Sequence, residues 1–168
     1  MIVARGGKDK FCQVYAFSTF FYSTYKDKGY SSIRRWTKKT DIFAQDIVFI
    51  PVHLGMHWCL ATIDLKKKEI NYYDSMGGNN QQCLDLLFKY LKEEHQDKKK
   101  SELSTEGWKL TLVKGIPQQM NGSDCGMFAC KFAEYLSRRA RISFTQENMP
   151  YFRRRMVYEI VKNNLMYP

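Results

Sequence analysis

No apolar run in this chain approaches the roughly 20 residues that a membrane-spanning helix needs, and no charged-then-apolar leader opens it. An intracellular protein without a membrane partner is expected. Prolines number four, no internal repeat appears, and no proline- or glycine-rich stretch divides the chain. One domain over residues 1–168 is expected, long enough to enclose a real core. Cysteine is present but unpatterned. Cys12, Cys59, Cys83, Cys125 and Cys130 include no C-x-x-C pair, which speaks against a zinc ribbon or finger. Free thiols in a reducing compartment are the simpler reading, with no metal or cofactor.

Basic residues are abundant, with 27 Lys plus Arg against 17 acids and a net charge of +10. That excess suits a soluble surface or an acidic partner. The basic runs at Lys66–Lys68, Lys98–Lys100 and Arg153–Arg155 are short and scattered, and none alternates with aromatics as a base-stacking platform would. An acidic protein surface therefore ranks above nucleic acid. Hydrophobic residues at 44% and aromatics at 15% exclude a disordered chain.

The local patterns predict a small mixed sheet flanked by helices, an α+β fold. Residues 1–10 read as poorly ordered. Residues 12–28 read as a helix with Val14, Phe17, Phe21 and Tyr25 on one face, ended by Gly29. "SSIRRWTK" reads as a short serine-capped helix. "DIVFIPV" is a nearly continuous apolar run, expected as a strand buried on both faces. "HWCLATIDL" and "EINYYDSM" read as a hairpin around a lysine turn. A helix follows with Leu84, Leu87, Leu91 and Phe88 inward, then a polar loop over 97–107 and a strand "WKLTLV". Residues 125–138 form a helix, and a last one starts at Pro150.

Cys125 sits where the loop "QQMNGSD" meets a helix. Backbone N–H groups at a helix start carry partial positive charge and stabilise a thiolate. A small buried thiol under the helix would produce the same local sequence. A nucleophilic cysteine needs a base. Of the three histidines, His95 lies in a charged stretch, while His57 opens a strand. If Asp64 pairs with Glu69 in the hairpin, Cys59 faces Asp74, and His57, Cys59 and Asp74 share one sheet face. His57 and Asp74 then become diagonal neighbours, about 7–8 Å apart at Cβ, the base-and-orienter arrangement of a catalytic triad. A slip of one residue would put Asp74 on the other face. Gln119 is a candidate oxyanion donor, although Gln118 would serve as well on sequence alone. Trp58 alternates to the opposite face from His57.

The stretches "VHLGMHWCLATIDLKKKEINYYDSMGG" and "IPQQMNGSDCGMFACKFAEYL", with "RRWTKKTDIF" before and "FTQENMPYFRRRMVYEI" after, resemble the catalytic domain of SUMO-specific (sentrin-specific) cysteine proteases. This is the ubiquitin-like-protein processing clan related to adenovirus protease, and the resemblance covers about residues 14–165. It implies a papain-like (adenain-like) α+β fold and a triad of Cys125, His57 and Asp74, with Gln119 at the oxyanion hole. Trp58 matches the tryptophan that covers the substrate's Gly-Gly tail. Phe20, Arg35, Trp36 and His53 match positions on a SUMO-facing surface. The implied activity is hydrolysis after the C-terminal Gly-Gly of SUMO, from lysine conjugates or precursors, by a monomer in the nucleus. The implied partners are SUMO and SUMO-conjugated proteins, with no nucleic acid. Family domains also carry an upstream segment near "WLND" whose tryptophan forms the other channel wall, and "MIVARGGKDKFCQ" does not resemble it. The alternative expectation is therefore a catalytically deficient, truncated SUMO-binding module.

Overall fold

Side-chain alternation along one strand decides the architecture. In Ile47–His53 (β2), Ile47 and Phe49 enter one apolar cluster while Val48, Ile50 and Val52 enter another, because successive residues point to opposite faces. A strand apolar on both faces must be covered on both. The structure, a computed structural model, describes residues 1–7 and 11–166.

Before β2 come a helical turn Ile2–Arg5 (α1), strand Val14–Ala16 (β1), helix Phe21–Lys28 (α2) and a short helix Tyr30–Ile33 (α3). After it come Trp58–Asp64 (β3), Glu69–Tyr73 (β4), helix Gln81–Lys99 (α4), Lys109–Leu112 (β5), helix Cys125–Ser137 (α5) and helix Met149–Lys162 (α6). Among the described residues these strands form one five-stranded sheet in the order β1-β2-β3-β4-β5. The inner pairs are antiparallel, while β1–β2 and β4–β5 are parallel, so the sheet is mixed as expected.

One face is covered by α2, α3 and α4. Phe21, Tyr25, Ile33, Leu84, Leu87 and Leu91 pack there against Ala61, Ile63, Ile70 and Tyr72. Phe88 lies half-buried at its margin. The other face is covered by α5 and α6, where Phe128, Phe132, Phe144 and Phe152 meet Phe49, Leu60 and Tyr73. Tyr90 stands edge-on to Phe17, Phe21 and Tyr25, the favoured aromatic geometry.

Several sequence expectations need correction. Residues 12–28 are not one helix. Val14–Ala16 pair in parallel with Ile47–Phe49, and the Phe17 N–H continues the ladder to the Phe49 carbonyl at 2.9 Å. The pairing edge of β2 overrides a helical spacing that does hold for Phe17, Phe21 and Tyr25, all buried. The short helix begins at Tyr30, with Gly29 rather than a serine as its N-cap. The helix after the hairpin runs on to Lys99, shortening the polar loop. The last helix starts at Met149, one residue before Pro150. In the stretch expected to be poorly ordered, Ile2–Arg5 form a helical turn and the Arg5 guanidinium donates to Ser137 Oγ at 2.8 Å. Residues 8–10 of that stretch lie outside the described residues.

Leu87 is fully buried and Leu54 is 41% exposed. Leu87→Ala should cost about 2–5 kcal/mol through lost burial and a residual cavity, whereas Leu54→Ala should change stability by less than about 0.5 kcal/mol. Urea unfolding of the two variants, compared by midpoint at constant slope, checks this.

Candidate active site

The hairpin register brings the first two groups together. Asp64 pairs with Glu69, and the ladder runs to Leu60 opposite Tyr73. One step further sets Cys59 opposite Asp74 and His57 on its diagonal. The imidazole and carboxylate are hydrogen-bonded, with His57 Nε2 and Asp74 Oδ1 2.6 Å apart. A carboxylate partner selects the tautomer that carries hydrogen on Nε2 and leaves Nδ1 as an acceptor. Asp74 is buried, and its Oδ1 also accepts the Met76 N–H at 2.7 Å. Space over the other oxygen depends on Gly78, where an added Cβ would lie 2.6 Å from Asp74 Oδ2.

Cys125 is the first residue of α5 and is 7% exposed. Its neighbour Gly126 lies against the residue next to His57: a Cβ there would be 3.9 Å from Trp58 Cδ1. The helix start and the strand start are thus packed together at one end of the sheet. Trp58 is half-buried and stacks on His53, with ring centroids 4.2 Å apart. With Phe49, Pro51, Leu60 and Ala129 it lines an apolar cavity of about 310 Å³.

Gln119 is tied to the strand end that bears Asp74. Its N–H donates to the Ser75 carbonyl at 2.9 Å, and Ser75 Oγ donates to Gln119 Oε1 at 2.6 Å. Its Nε2 donates to the Asn121 carbonyl at 2.5 Å. Gln118 is exposed and approaches Gly77 instead, so the structure separates two residues that sequence left equivalent.

The loop before Cys125 is held by groups that the sequence reading did not find. Asn121 Oδ1 accepts the N–H groups of Ser123 and Asp124, both at 3.0 Å, making a side-chain turn. The buried Asp124 carboxylate accepts from Asn121 Nδ2 at 2.7 Å, Gln146 Nε2 at 2.8 Å and Arg153 Nε at 2.9 Å. Gln146 Oε1 in turn accepts the Met120 N–H at 2.8 Å. Asn121 was discoverable from its "NGSD" turn composition. Gln146 and Arg153 were not, because they reach the loop from 22 and 29 residues away.

The remaining predicted positions sit on the surface. Phe20 is 70% exposed at the start of α2, and Trp36 packs at 6.1 Å on the neighbouring Phe21 ring. Arg35 is exposed, and His53 reaches the site through its stacking on Trp58.

Residues 8–165 match the model of the Ulp1 protease family, C-terminal catalytic domain. The chain belongs to this family. It is 54% identical over 160 residues to a sentrin-specific protease of Caenorhabditis elegans, covering 95% of this chain and 23% of that protein. It is 44% identical over 168 residues to human sentrin-specific protease 2, covering 99% of this chain and 28% of the relative. The chain thus spans about a quarter of the length of these curated relatives. Its fold matches the C-terminal Ulp1 protease domain solved in complex with Smt3, the yeast ortholog of SUMO. The TM-score is 0.80 at 36% identity, over 89% of this chain and 68% of that one. The papain-like α+β expectation holds.

Burial would raise the Asp124 carboxyl, but hydrogen bonds from Asn121, Gln146 and Arg153 and the Arg153 charge outweigh it and hold it below its ordinary 3.8. A depressed carboxyl contributes stability that is present above its unfolded value and lost as pH falls through its folded one. Asp124→Asn should therefore be less stable than the wild type near neutrality, and the gap should close as pH drops below about 4. Urea midpoints measured across that range check the sign.

Proposed function

We propose that this domain is a thiol protease that hydrolyses the bond after the C-terminal Gly-Gly of SUMO. The single observation that carries the reading is the 2.6 Å bond between His57 and Asp74, beside a helix that begins with a cysteine. That arrangement supplies a base, its orienter and a nucleophile from separate segments. SUMO as substrate is supported by family membership and by the Ulp1 domain solved with Smt3.

In the proposed reaction His57 Nδ1 takes the Cys125 proton and the sulfur attacks the carbonyl carbon of the terminal glycine. The negative charge that develops on oxygen is held by the N–H groups at the start of α5 and by Gln119. That amide has two hydrogens, one of them given to Asn121, leaving the other for the oxyanion. His57 delivers a proton to the departing amine, either a lysine side chain or a peptide extension. It then takes a proton from the water that attacks the thioester, and Cys125 is released as the thiol. Asp74 holds the ring and stabilises its charged form.

Trp58 is assigned the role of covering the glycine tail. Its ring stacks on His53 and borders the apolar cavity, a place for backbone without side chains. Phe20, Arg35, Trp36 and His53 are assigned to contact the SUMO body. Their exposure and the excess of basic residues suit an acidic partner face, which adds specificity and association rate. A nuclear, monomeric enzyme acting on SUMO conjugates completes the reading.

A fluorogenic SUMO Gly-Gly amide and a SUMO-based thiol-trapping probe test it. The wild-type chain should be labelled and should turn over. Cys125→Ala should abolish both, and Asp74→Asn should lower kcat by about 10⁴. Failure of the probe to label the wild-type chain would remove the proposal. Gly78→Ala should lower kcat on the order of 10²-fold by displacing the Asp74 carboxylate, with the stability loss followed separately by thermal unfolding.

A further inference from the structure

The face of the hairpin that bears His57 and Asp74 also bears Cys59. An imidazole nitrogen of His57, Cys59 Sγ and a carboxylate oxygen of Asp74 all lie within 4.8 Å of one another. None of the catalytic steps above uses Cys59. It is a buried thiol, 1% exposed, placed two residues after His57 on the side of Asp74.

We propose that His57, Cys59 and Asp74 form an inhibitory binding site for a thiophilic divalent cation, with Zn²⁺ as the type case. The donor set decides the class of ion. One nitrogen, one sulfur and one carboxylate oxygen suit Zn²⁺, whereas Mg²⁺ and Ca²⁺ take oxygen donors. Bonds of about 2.0–2.3 Å to a tetrahedral centre need donors about 3.3–3.7 Å apart. From separations all within 4.8 Å the groups would close to that spacing by side-chain rotation, and the 2.6 Å His57–Asp74 contact would widen to admit the ion. Three protein ligands leave a fourth position for water.

Charge balance also fits. A dication with one thiolate, one carboxylate and one neutral imidazole is a neutral unit, which a buried site tolerates far better than an isolated charge. The Cys59 proton leaves to solvent as the metal binds, and the His57 hydrogen moves to the ring nitrogen that does not ligate, so the imidazole stays neutral. An outer partner is already in place. The Tyr72 hydroxyl is buried next to Cys59 and Asn80 but makes no hydrogen bond of good geometry. A metal-bound thiolate at Cys59 would accept its hydrogen, the kind of outer contact that tunes metal sites.

The inhibitory consequence rests on the proposed function, because the ion would occupy the base and its orienter together. Metal binding itself does not. The experiment therefore has two arms. In the first, Co²⁺ is titrated into Cys125→Ala protein and the thiolate-to-cobalt charge-transfer absorption is followed. The band should appear, should vanish in Cys125→Ala/Cys59→Ala, and should need 10–100-fold more Co²⁺ in Cys125→Ala/Tyr72→Phe. In the second, SUMO amide hydrolysis by the wild type and by Cys59→Ala is measured against buffered Zn²⁺. The wild type should be inhibited and recover on adding chelator, and Cys59→Ala should need at least about tenfold more Zn²⁺.

A band that survives loss of Cys59, absence of the band in Cys125→Ala, or equal Zn²⁺ sensitivity of both enzymes would overturn the site. A normal cobalt band in Cys125→Ala, with no turnover by the wild type, would instead preserve the metal site and remove the protease reading.

Discussion

The pairing of Asp64 with Glu69 across a lysine turn fixes everything at the far end of the hairpin. Strand side chains alternate with a period of two, so this register sends His57, Cys59 and Asp74 to one face and Trp58 and Tyr73 to the other. A shift of one residue would separate imidazole from carboxylate by the thickness of the sheet. The register is held because both faces are buried. Ala61, Ile63, Ile70 and Tyr72 are committed to the core under α4, while Leu60 and Tyr73 are committed to the one under α5. The hydrophobic core and the 2.6 Å bond between His57 and Asp74 are consequences of the same alternation.

The cysteine arrives by a different route. It depends on the placement of a helix start, and helix starts are positioned by their caps and by what precedes them. Asp124 does not cap α5 with its own side chain. It is instead the acceptor of a cluster: Asn121 from within the loop, Gln146 from the turn before α6 and Arg153 from α6 itself. Gln146 also holds the backbone of Met120. The loop that bears Gln119 and Cys125 is therefore fastened at one end to the Asp74 strand through Ser75 and at the other to α6. That double attachment suits the proposed protease site, whose oxyanion donors would have to be in place before charge develops.

Legibility varied with the range of the interaction. The hairpin, the doubly buried β2 and the apolar face of α4 were readable, since each is written in local periodicity, whereas the register stayed conditional because turn geometry sets it. The first helix was misread at its beginning because Val14, Phe17, Phe21 and Tyr25 keep helical spacing while the backbone of Val14–Ala16 answers to β2. A parallel partner more than 30 residues away leaves no local signature. Separations of 22 and 29 residues likewise hid Gln146 and Arg153. Gly78 lies close to Asp74 in sequence, and its role appears only once Asp74 Oδ2 is seen beneath it.

By itself the sequence determined most of the elements, the presence of the hairpin and the chemical types available for a site: one histidine at a strand start, one aspartate at a strand end and one cysteine at a helix start. Those are properties of short segments, governed by backbone sterics, side-chain period and turn length. Only the tertiary structure decided that Gln119 rather than Gln118 turns inward and that Asp124 is shared among three donors. Those are contacts between side chains from distant segments, and their distances are set by how two cores pack against one sheet.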